Sequence, residues 1–329
     1  MTGVVELTPW DGDPAVRCDR GVTFVAPAER ARHAPDVCLA VVERGSLLAR
    51  CSCWINRDSR LGVIGHYAAA EAETGAALLA HASGALARAG CEVAVGPMDG
   101  NTWRRYRLVI DGDGRAPFFL EPANPDDWPD HWRVAGFAPC ATYTSAVNDD
   151  LSVEDPRTSG SRARLARRGI SIRTFDPARG DADLRRIFEL STSAFGNNPF
   201  FAPITEEEFR AQMAGVLPFA RPELILLAER GAGLAGFIFA VPDLLRARDG
   251  RPPDTVILKT VGVHPTVSGM GLGGVLMDLA QRAARQLGYR RAIHALMHDA
   301  NPSRKISERY ARTMRRYALF SRPLAAGAQ

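Results

Sequence analysis

The sequence has no apolar run long enough for a membrane-spanning helix, so we expect no membrane partner. The N-terminal stretch lacks both a basic start and a long apolar segment, which favours a cytoplasmic protein over a secreted one. Lysine is nearly absent: only Lys259 and Lys305 stand among 41 basic residues. The net charge of +4 is mild and spread along the chain, so we expect no nucleic-acid partner.

Cysteine is confined to the first half of the chain, where the six residues are Cys18, Cys38, Cys51, Cys53, Cys91 and Cys140. No C-x-x-C pair and no histidine cluster accompanies them in the sequence, so we predict no metal site. Reduced, buried thiols are the ordinary interpretation of such a set.

Length favours two domains, and a polar stretch at residues 148–168 is typical of a linker between them. On each side of it, strands are followed by a strand–helix–strand order, which predicts a mixed α/β sheet in each half. In the first half we predict strands at 37–42, 47–55, 61–68 and 92–95, with a helix at 76–89. In the second half we predict strands at 169–176, 223–229, 234–241, 255–263 and 291–297, and helices at 181–194, 205–214 and 271–287.

A glycine-rich loop joins a strand to a helix in the second half, and residues 261–274 read VGVHPTVSGMGLGG. A dinucleotide-binding fingerprint fits poorly, because five residues separate strand from loop and no acid follows about twenty residues later. Close packing of a helix on a sheet explains one glycine more easily than it explains four, at Gly269, Gly271, Gly273 and Gly274. Exposed amides at the start of a helix predict an anion site instead.

Six residues of this segment have the spacing of the signature V-x-V-x-P, three residues to Gln or Arg, then x-x-G-x-[GA]. They are Val261, Val263, Pro265, Ser268, Gly271 and Gly273, and Ser268 stands at the Gln or Arg position. The segment resembles the GCN5-related N-acetyltransferases, the GNAT superfamily, and the resemblance extends over residues 169–322. Ser268 departs from the pattern, because it brings no charge. The resemblance implies an α/β fold of two tandem GNAT-like domains, each a mixed, mostly antiparallel sheet with a central splayed strand pair.

The resemblance also implies an acyl-CoA cofactor, most simply acetyl-CoA. Its pantetheine arm would pair with Val261, Gly262 and Val263, near Asn301 and Ser303, and Arg304 would face the same side. Its pyrophosphate would lie in the loop formed by Ser268, Gly269, Met270, Gly271, Leu272, Gly273 and Gly274.

Catalytic residues are less evident in the sequence. Tyr310 is the candidate for the general acid on the helix after Asn301, with Tyr317 as the second choice; either tyrosine could instead be a packing residue. Many relatives carry Glu on the glycine-loop strand, where this chain has Lys259. His264 or a water molecule is the candidate base. The aromatic segment Ala194–Pro203 either lines the acceptor pocket or caps two helices.

The first half resembles a degenerate copy of the same fold. Its corresponding loop has a single glycine, Gly75, and two acids, Glu71 and Glu73, that would repel a pyrophosphate, so we expect no acyl-CoA there. The segment Gly96–Trp103 is interpreted as a turn, with a loop bearing on an interdomain cleft as the alternative.

The expected function is acyl-CoA-dependent transfer of an acetyl group to a primary amine of a small molecule or peptide, by direct attack in a ternary complex. A non-catalytic acyl-CoA-binding or scaffolding protein is the alternative. The expected domains are a degenerate one at 1–147, the linker at 148–168 and a catalytic one at 169–329. The sequence leaves the oligomeric state open.

Overall fold

The computed structural model describes the backbone of residues 3–6 and the whole of residues 16–18, 20–247 and 252–324. The chain divides into two compact units, and each takes residues from separate parts of the sequence. Unit 1 contains residues 1–111, 122–142 and 317–329. Unit 2 contains residues 112–121 and 143–316. These units do not coincide with the sequence-based bounds of 1–147 and 169–329, because the chain returns to unit 1 at its C-terminal end.

The first half of the chain forms β1 (Gly3–Glu6), α1 (Pro27–His33), β2 (Val37–Glu43), β3 (Ser46–Asn56), β4 (Leu61–Ala69), α2 (Ala72–Arg88), β5 (Val93–Gly96), β6 (Leu108–Gly112), α3 (Trp128–Val134) and β7 (Ala138–Asn148). The second half forms α4 (Arg157–Arg167), β8 (Ile170–Thr174), α5 (Gly180–Phe195), α6 (Glu206–Ala214), β9 (Ile225–Arg230), β10 (Gly233–Pro242), β11 (Thr255–Val263), α7 (Leu272–Gln286), β12 (Arg291–His298), α8 (Pro302–Ser307) and β13 (Arg312–Pro323).

In unit 1 the strands β1 to β4 pair as antiparallel neighbours, and β4 then pairs in parallel with β5 over residues 61–63 and 93–95. The last strand of the unit is the end of β13, whose Phe320 is antiparallel to Gly96. Helix α2 is rich in alanine, a strong helix former. It buries Leu78, Leu79 and Leu86 in the core of the unit.

In unit 2 the strands β8 to β11 pair as antiparallel neighbours, β11 pairs in parallel with β12, and β12 is antiparallel to the second half of β7. Helix α7 is amphipathic and packs on β10 and β11. Its buried side chains share one face of the helix and include Val275, Leu276, Ala280 and Ala284. The predicted mixed, mostly antiparallel α/β sheet is therefore confirmed in each unit, and so is the splayed strand pair.

Most sequence-based bounds in unit 2 lie within two residues of the observed ones, and β11 coincides with its predicted span of 255–263. The segment 148–168 differs from the expectation of a linker, because it contains helix α4. The polar composition of this segment concealed the helix: Thr158, Ser161 and Leu165 are buried in unit 2, whereas the arginines between them are exposed. Among the helices that the structure describes, none is both long and apolar enough to cross a membrane.

Candidate active site

Strand β11 exchanges one of its partners halfway along its length. Its first half pairs in parallel with β12, and the last matched pair is Leu258 with His294. Lys259 then forms a bulge against β10, after which residues 260–263 resume their pairing with β10. The edge of residues 261–263 that faces β12 therefore lies outside the parallel ladder. Its backbone amides and carbonyls have the geometry to pair with an extended ligand.

The glycine loop follows at once. A short 3₁₀ turn at residues 265–267 buries Val267, and residues 268–271 then run along the surface to α7. Gly269 has φ of +78° and Gly271 has φ of +85°, a left-handed conformation that costs energy for residues with a Cβ atom. Gly271 is the N-cap of α7, so no side chain caps the first amides of this helix. These amides and the helix dipole favour an anion.

Other glycines in this region have a packing role. A Cβ atom at Gly262 would lie 2.5 Å from the Phe237 ring, and one at Gly236 would lie 2.8 Å from Leu272 Cδ2. The lack of a side chain at Gly236 lets α7 lie close to the sheet, and the lack of one at Gly262 leaves room for the Phe237 ring of β10. A Cβ atom at Gly273 would stay in ordinary contact with Val263, at 3.6 Å. Both sequence-level interpretations of the glycines therefore apply, to different residues.

Two arginines of α4 border the glycine loop. Arg164 donates to Ser161 Oγ at 2.8 Å, and this hydroxyl lies 3.1 Å from the position of a Cβ atom at Gly271. One turn later, Arg168 Nη1 lies 3.7 Å from Met270 Sδ. Both arginines are exposed residues, and their (i, i+4) spacing holds like charges close together, which is unfavourable without an anion nearby. The cation that Ser268 lacks is thus present on a neighbouring helix.

Sequence reasoning missed these arginines because it treated their segment as a linker. The signal that could have found them is the order of residues 161–168, SRARLARR. Ser161, Arg164, Leu165 and Arg168 recur at helical spacing around a single large apolar residue, which is typical of a helix with one buried stripe.

Tyr310 lies in the turn just after α8 rather than within the helix where the sequence placed it. Its hydroxyl donates to Asp278 Oδ1 at 3.3 Å, and Asp278 is a buried residue of α7. Burial, and then the negative charge of Asp278, raise the pKa of Tyr310 above its ordinary value. The phenol is therefore protonated at neutral pH, as a general acid must be. Tyr317 lies on β13 and is fully buried in unit 1, as expected of a packing residue.

A buried polar chain lies beside Tyr310, at the point where β11 and β12 separate. His294 makes close contacts with Ser307 Oγ at 2.7 Å and Gln281 Oε1 at 3.1 Å, and Asn148 donates to the same Gln281 oxygen. Burial lowers the pKa of His294 to about 4, so its imidazole is neutral at physiological pH. This chain pairs His294 and Asn148 inside unit 2, whereas the buried Gln281 Nε2 atom has no hydrogen-bond partner among the described residues.

The other predicted residues are distributed around the same strand. His264 Nδ1 accepts from the Thr266 amide at 3.3 Å and lies 2.8 Å from its hydroxyl, so one ring nitrogen caps the local turn. Asn301 is the N-cap of α8, and its carbonyl accepts from the Arg304 amide at 3.0 Å. Ser303 is half-buried in the same helix. Asn301 thus precedes the last helix, in the order the resemblance implied.

The aromatic segment Ala194–Pro203 runs from the end of α5 toward the start of α6. Phe200 has φ of +59°, a conformation that bulky residues seldom adopt. Phe195, Phe200 and Phe201 are half-buried, so their rings are partly accessible. The segment therefore joins two helices and also presents aromatic surface.

Unit 1 repeats this strand–loop–helix order, but its own side chains fill the corresponding space. Met98 N donates to Ile64 O at 2.9 Å, and His66 N donates to Asp99 Oδ1 at 2.5 Å, so residues 97–99 follow β4 where it leaves β5. At the start of α2, a Cβ atom on Gly75 would overlap the Tyr67 hydroxyl and lie 2.7 Å from His131 Nδ1.

The segment Gly96–Trp103 is therefore more than a turn, because its first residues occupy the edge of β4. The acids expected to repel a phosphate are also in place: Glu71 is the N-cap of α2, and Glu73 lies in its first turn. Two independent features distinguish the start of α2 in unit 1 from the start of α7 in unit 2. Side chains occupy the space around Gly75, and two acids bring negative charge.

Residues 184–311 match the family model described as the acetyltransferase (GNAT) family. This match assigns residues 184–311, within unit 2, to the GNAT family. This family consists of acetyltransferases that bind acyl-CoA.

The curated relatives include the mycothiol acetyltransferase of Kineococcus radiotolerans, which is 34% identical over 140 residues. That match covers 43% of this chain and 38% of the relative, so it spans about two fifths of the relative's length.

Two solved structures share the fold over nearly the whole chain. A GCN5-related N-acetyltransferase from Sphaerobacter thermophilus has a TM-score of 0.52 and 16% identity, and the match covers 94% of this chain and 90% of the other. A tandem GNAT protein from the clavulanic acid biosynthesis pathway has a TM-score of 0.51 and 15% identity, with 92% and 87% covered. The expectation of two tandem GNAT-like domains is confirmed at the level of the fold.

Proposed function

We propose that this protein is an acyl-CoA-dependent N-acyltransferase, which transfers the acetyl group of acetyl-CoA to a primary amine of a small molecule or peptide by direct attack in a ternary complex. One observation supports this most strongly. The free edge of β11 at residues 261–263 leads directly into a loop of left-handed glycines at the uncapped start of α7. A strand edge followed by an anion cradle matches a ligand with an amide-bearing arm joined to a pyrophosphate.

The residues present fit that ligand. Backbone groups of Val261, Gly262 and Val263 would pair with the pantetheine arm, with Asn301 and Ser303 beside it. The amides from Ser268 to Gly274 would bind the pyrophosphate, as the resemblance implies. We assign the positive charge that Ser268 does not supply to Arg164 and Arg168, which border the loop from α4.

Acyl-CoA supplies a thioester, and the protein's contribution is orientation and charge. A backbone amide on the free edge of β11 would donate to the carbonyl oxygen as negative charge develops there. Tyr310, protonated at neutral pH, would give a proton to the departing thiolate. The amine must be neutral to attack; water or the second ring nitrogen of His264 would accept its proton.

The acceptor is proposed to be a small molecule. The curated relatives are named for mycothiol, which favours this class over a protein substrate. The half-buried aromatic residues of Ala194–Pro203 are proposed to form one wall of the acceptor pocket, since rings with accessible faces bind apolar parts of small ligands.

The assignment of the α4 arginines can be tested separately from turnover. Calorimetry with CoA would compare the wild type with the double variant Arg164→Ala/Arg168→Ala. The matched control is Arg162→Ala/Arg167→Ala, which removes the same charge from exposed positions elsewhere on α4. We expect affinity to fall by roughly 10- to 100-fold in the first variant, the scale of lost charge-assisted hydrogen bonds, and to change little in the control. An equal loss of CoA affinity in the two double variants would mean that only the net charge of the protein matters, and it would contradict the assignment.

A binding protein without catalysis is the second candidate, and one contact favours it. The Tyr310 hydroxyl donates to Asp278 inside unit 2, which is also what a purely structural tyrosine would do. Release of CoA from acetyl-CoA, followed with a thiol reagent across a panel of small amines, distinguishes the two. Turnover with any amine supports the enzyme. Acetyl-CoA binding by calorimetry with no turnover on a broad panel supports the binding protein.

A further inference from the structure

A cluster of metal-ligand side chains lies in unit 1 and includes no residue of β11 or its glycine loop. Glu29 and His33 are one turn apart on α1, so they share a face of that helix, and His66 lies on β4. One ligand atom from each of the three lies within 4.8 Å of the others. The sequence does not reveal this group, because 33 residues separate the two histidines.

The two imidazoles face each other through nitrogen atoms. His33 Nδ1 lies 2.8 Å from His66 Nε2, and the rings are stacked with centroids 5.1 Å apart. Two nitrogens bound to one zinc ion at about 2.0–2.1 Å in tetrahedral geometry are separated by roughly 3.3 Å. At 2.8 Å the two nitrogens share a hydrogen bond, so one of them carries a proton. An ion would enter once that proton moves to another ring nitrogen or to water and the side chains separate slightly.

The surroundings fix the orientation of the buried histidine. His66 Nδ1 lies 3.0 Å from the hydroxyl of Ser52, which is itself buried. If the ring donates through Nδ1 to that oxygen, the lone pair is on Nε2, the atom that faces His33. A ligand histidine held by a second hydrogen bond in this way is the usual arrangement at metal sites. His66 also has φ of +48°, a strained backbone conformation of the kind that concentrates at functional sites.

The nearby charges set the kind of ion. Arg50 and Arg104 lie nearby, but they donate to the backbone carbonyls of His66 and His33. Asp99 and Glu29 supply negative charge, and Asp99 also forms an ion pair with Arg105 at 3.2 Å. Two nitrogen ligands and one carboxylate suit zinc, cobalt or nickel rather than magnesium or calcium.

We propose that Glu29, His33 and His66 bind one divalent transition-metal ion, zinc by preference, within unit 1. Three protein ligands leave at least one coordination position for water or another small ligand. The site is independent of the acyl-CoA assignment, because none of its residues belongs to unit 2.

Direct binding tests the proposal. The full-length protein, stripped with a chelator, would be titrated with zinc in a calorimeter and with cobalt by absorption spectroscopy. Trp54 provides a further readout: its ring centroid is 5.1 Å from that of His66, so bound cobalt should quench its fluorescence. We expect one ion per chain. We expect His33→Ala to lower the affinity by more than about 100-fold, since loss of a ligand should exceed the 10- to 100-fold effect of losing its supporting partner.

His33→Ala is the main variant, because His33 is half-buried on a short helix and its loss should leave the sheet intact. His81→Ala on the exposed face of α2 is the matched control and should bind as the wild type does. Ser52→Ala should weaken binding by roughly 10-fold or more through the orientation of His66. The proposal fails if the wild type binds no ion, or if binding survives in His33→Ala, which would assign the ion to other groups such as the cysteine thiols.

Discussion

The two units build the same strand–loop–helix order from different side chains. In unit 2 the β11 edge at residues 261–263 lies outside the parallel ladder with β12, and the loop that follows has two left-handed glycines and two flanking arginines. In unit 1 residues 97–99 lie along the corresponding edge of β4, while Tyr67 and His131 contact the start of α2. The same fold thus carries two different arrangements at this position, and we propose that only the arrangement in unit 2 binds a phosphate-bearing ligand.

In unit 1 this region holds only a small pocket, lined by residues that include Tyr67, Pro97, Asp99 and Trp128. Tyr67 and His131 are joined at 2.8 Å, and Trp128 donates to the Ala69 carbonyl at 3.2 Å, so polar groups in this part of unit 1 pair with each other. A filled site of this kind is stabilised by its own hydrogen bonds. Reopening it would require several simultaneous substitutions.

The largest expected effect is on the number of binding sites. The wild type should bind one acyl-CoA per chain by calorimetry, and Gly271→Glu should bind none, because it places a negative charge and a side chain in the anion cradle. Gly271→Ala introduces the same backbone strain as Gly271→Glu but no charge, so it should retain part of the affinity. The comparison of the two units fails if the wild type binds two molecules.

Gly233→Glu is the matched control for that experiment. Gly233 is exposed in unit 2, and a Cβ atom there would come no closer than 3.9 Å to any neighbour. Normal binding in this variant would assign the loss in Gly271→Glu to the loop itself. Gly75→Glu is unsuitable as a control because its side chain would overlap Tyr67 and destabilise unit 1.

Tyr310→Phe should lower turnover by roughly 100-fold, the usual scale for loss of a general acid, while acyl-CoA binding persists. The loss should be smaller with an acyl donor whose leaving group needs no proton. Steady-state kinetics with both donors would measure the two effects. Tyr289→Phe, at a half-buried position packed against the same core, controls for removal of a phenol hydroxyl. Equal turnover in wild type and Tyr310→Phe would make the tyrosine structural.

The stability of unit 2 should depend on pH through His294. Its pKa is near 6.5 when unfolded and about 4 when folded, so the unfolded chain binds more protons between these values. The free energy of unfolding should therefore fall as the pH decreases from 6.5 to 4, by up to about 3 kcal/mol, and should not change from this cause above pH 7. Hydrogen exchange of unit 2 peptides would measure it, since all five tryptophans precede residue 133 and report on unit 1.

His294→Gln should flatten this pH dependence, because it removes the titrating ring and keeps a polar side chain beside Ser307. His66 has a similarly lowered pKa in unit 1. The free energy of unfolding of unit 1, followed by tryptophan fluorescence, should therefore fall over the same pH range. An unchanged slope in His294→Gln would assign the effect to other groups.

The smallest expected effect is that of Ser268→Arg. The new guanidinium would lie near the pyrophosphate, where Arg164 and Arg168 already supply charge, so CoA affinity should stay the same or rise by less than about 10-fold. In the Arg164→Ala/Arg168→Ala background the same substitution should restore more affinity. A large loss with the fold intact would contradict the placement of this loop.

The strands of unit 2 and helix α7 could be predicted because their signals are local. These signals are the alternation of apolar residues in β11, the glycine pattern of the loop and the apolar face of α7. Other features depend on residues far apart in sequence. The turn that carries Tyr310, the arginines of α4 beside Gly271 and the approach of His33 to His66 exist only after the chain has folded. The division into units was hidden for the same reason, since pairing of Phe320 with Gly96 leaves no local trace.

The C-terminal strand sets an order of events during synthesis. Residues 1–111 leave the ribosome long before residues 317–323, and the strand beside β5 can form only after those later residues have emerged. Until then the nascent chain carries β5 with an open edge, a ready template for pairing with other chains. Unit 1 therefore lacks one of its strands until well after its first 111 residues are made, and removal of residues 317–323 would leave the unit incomplete.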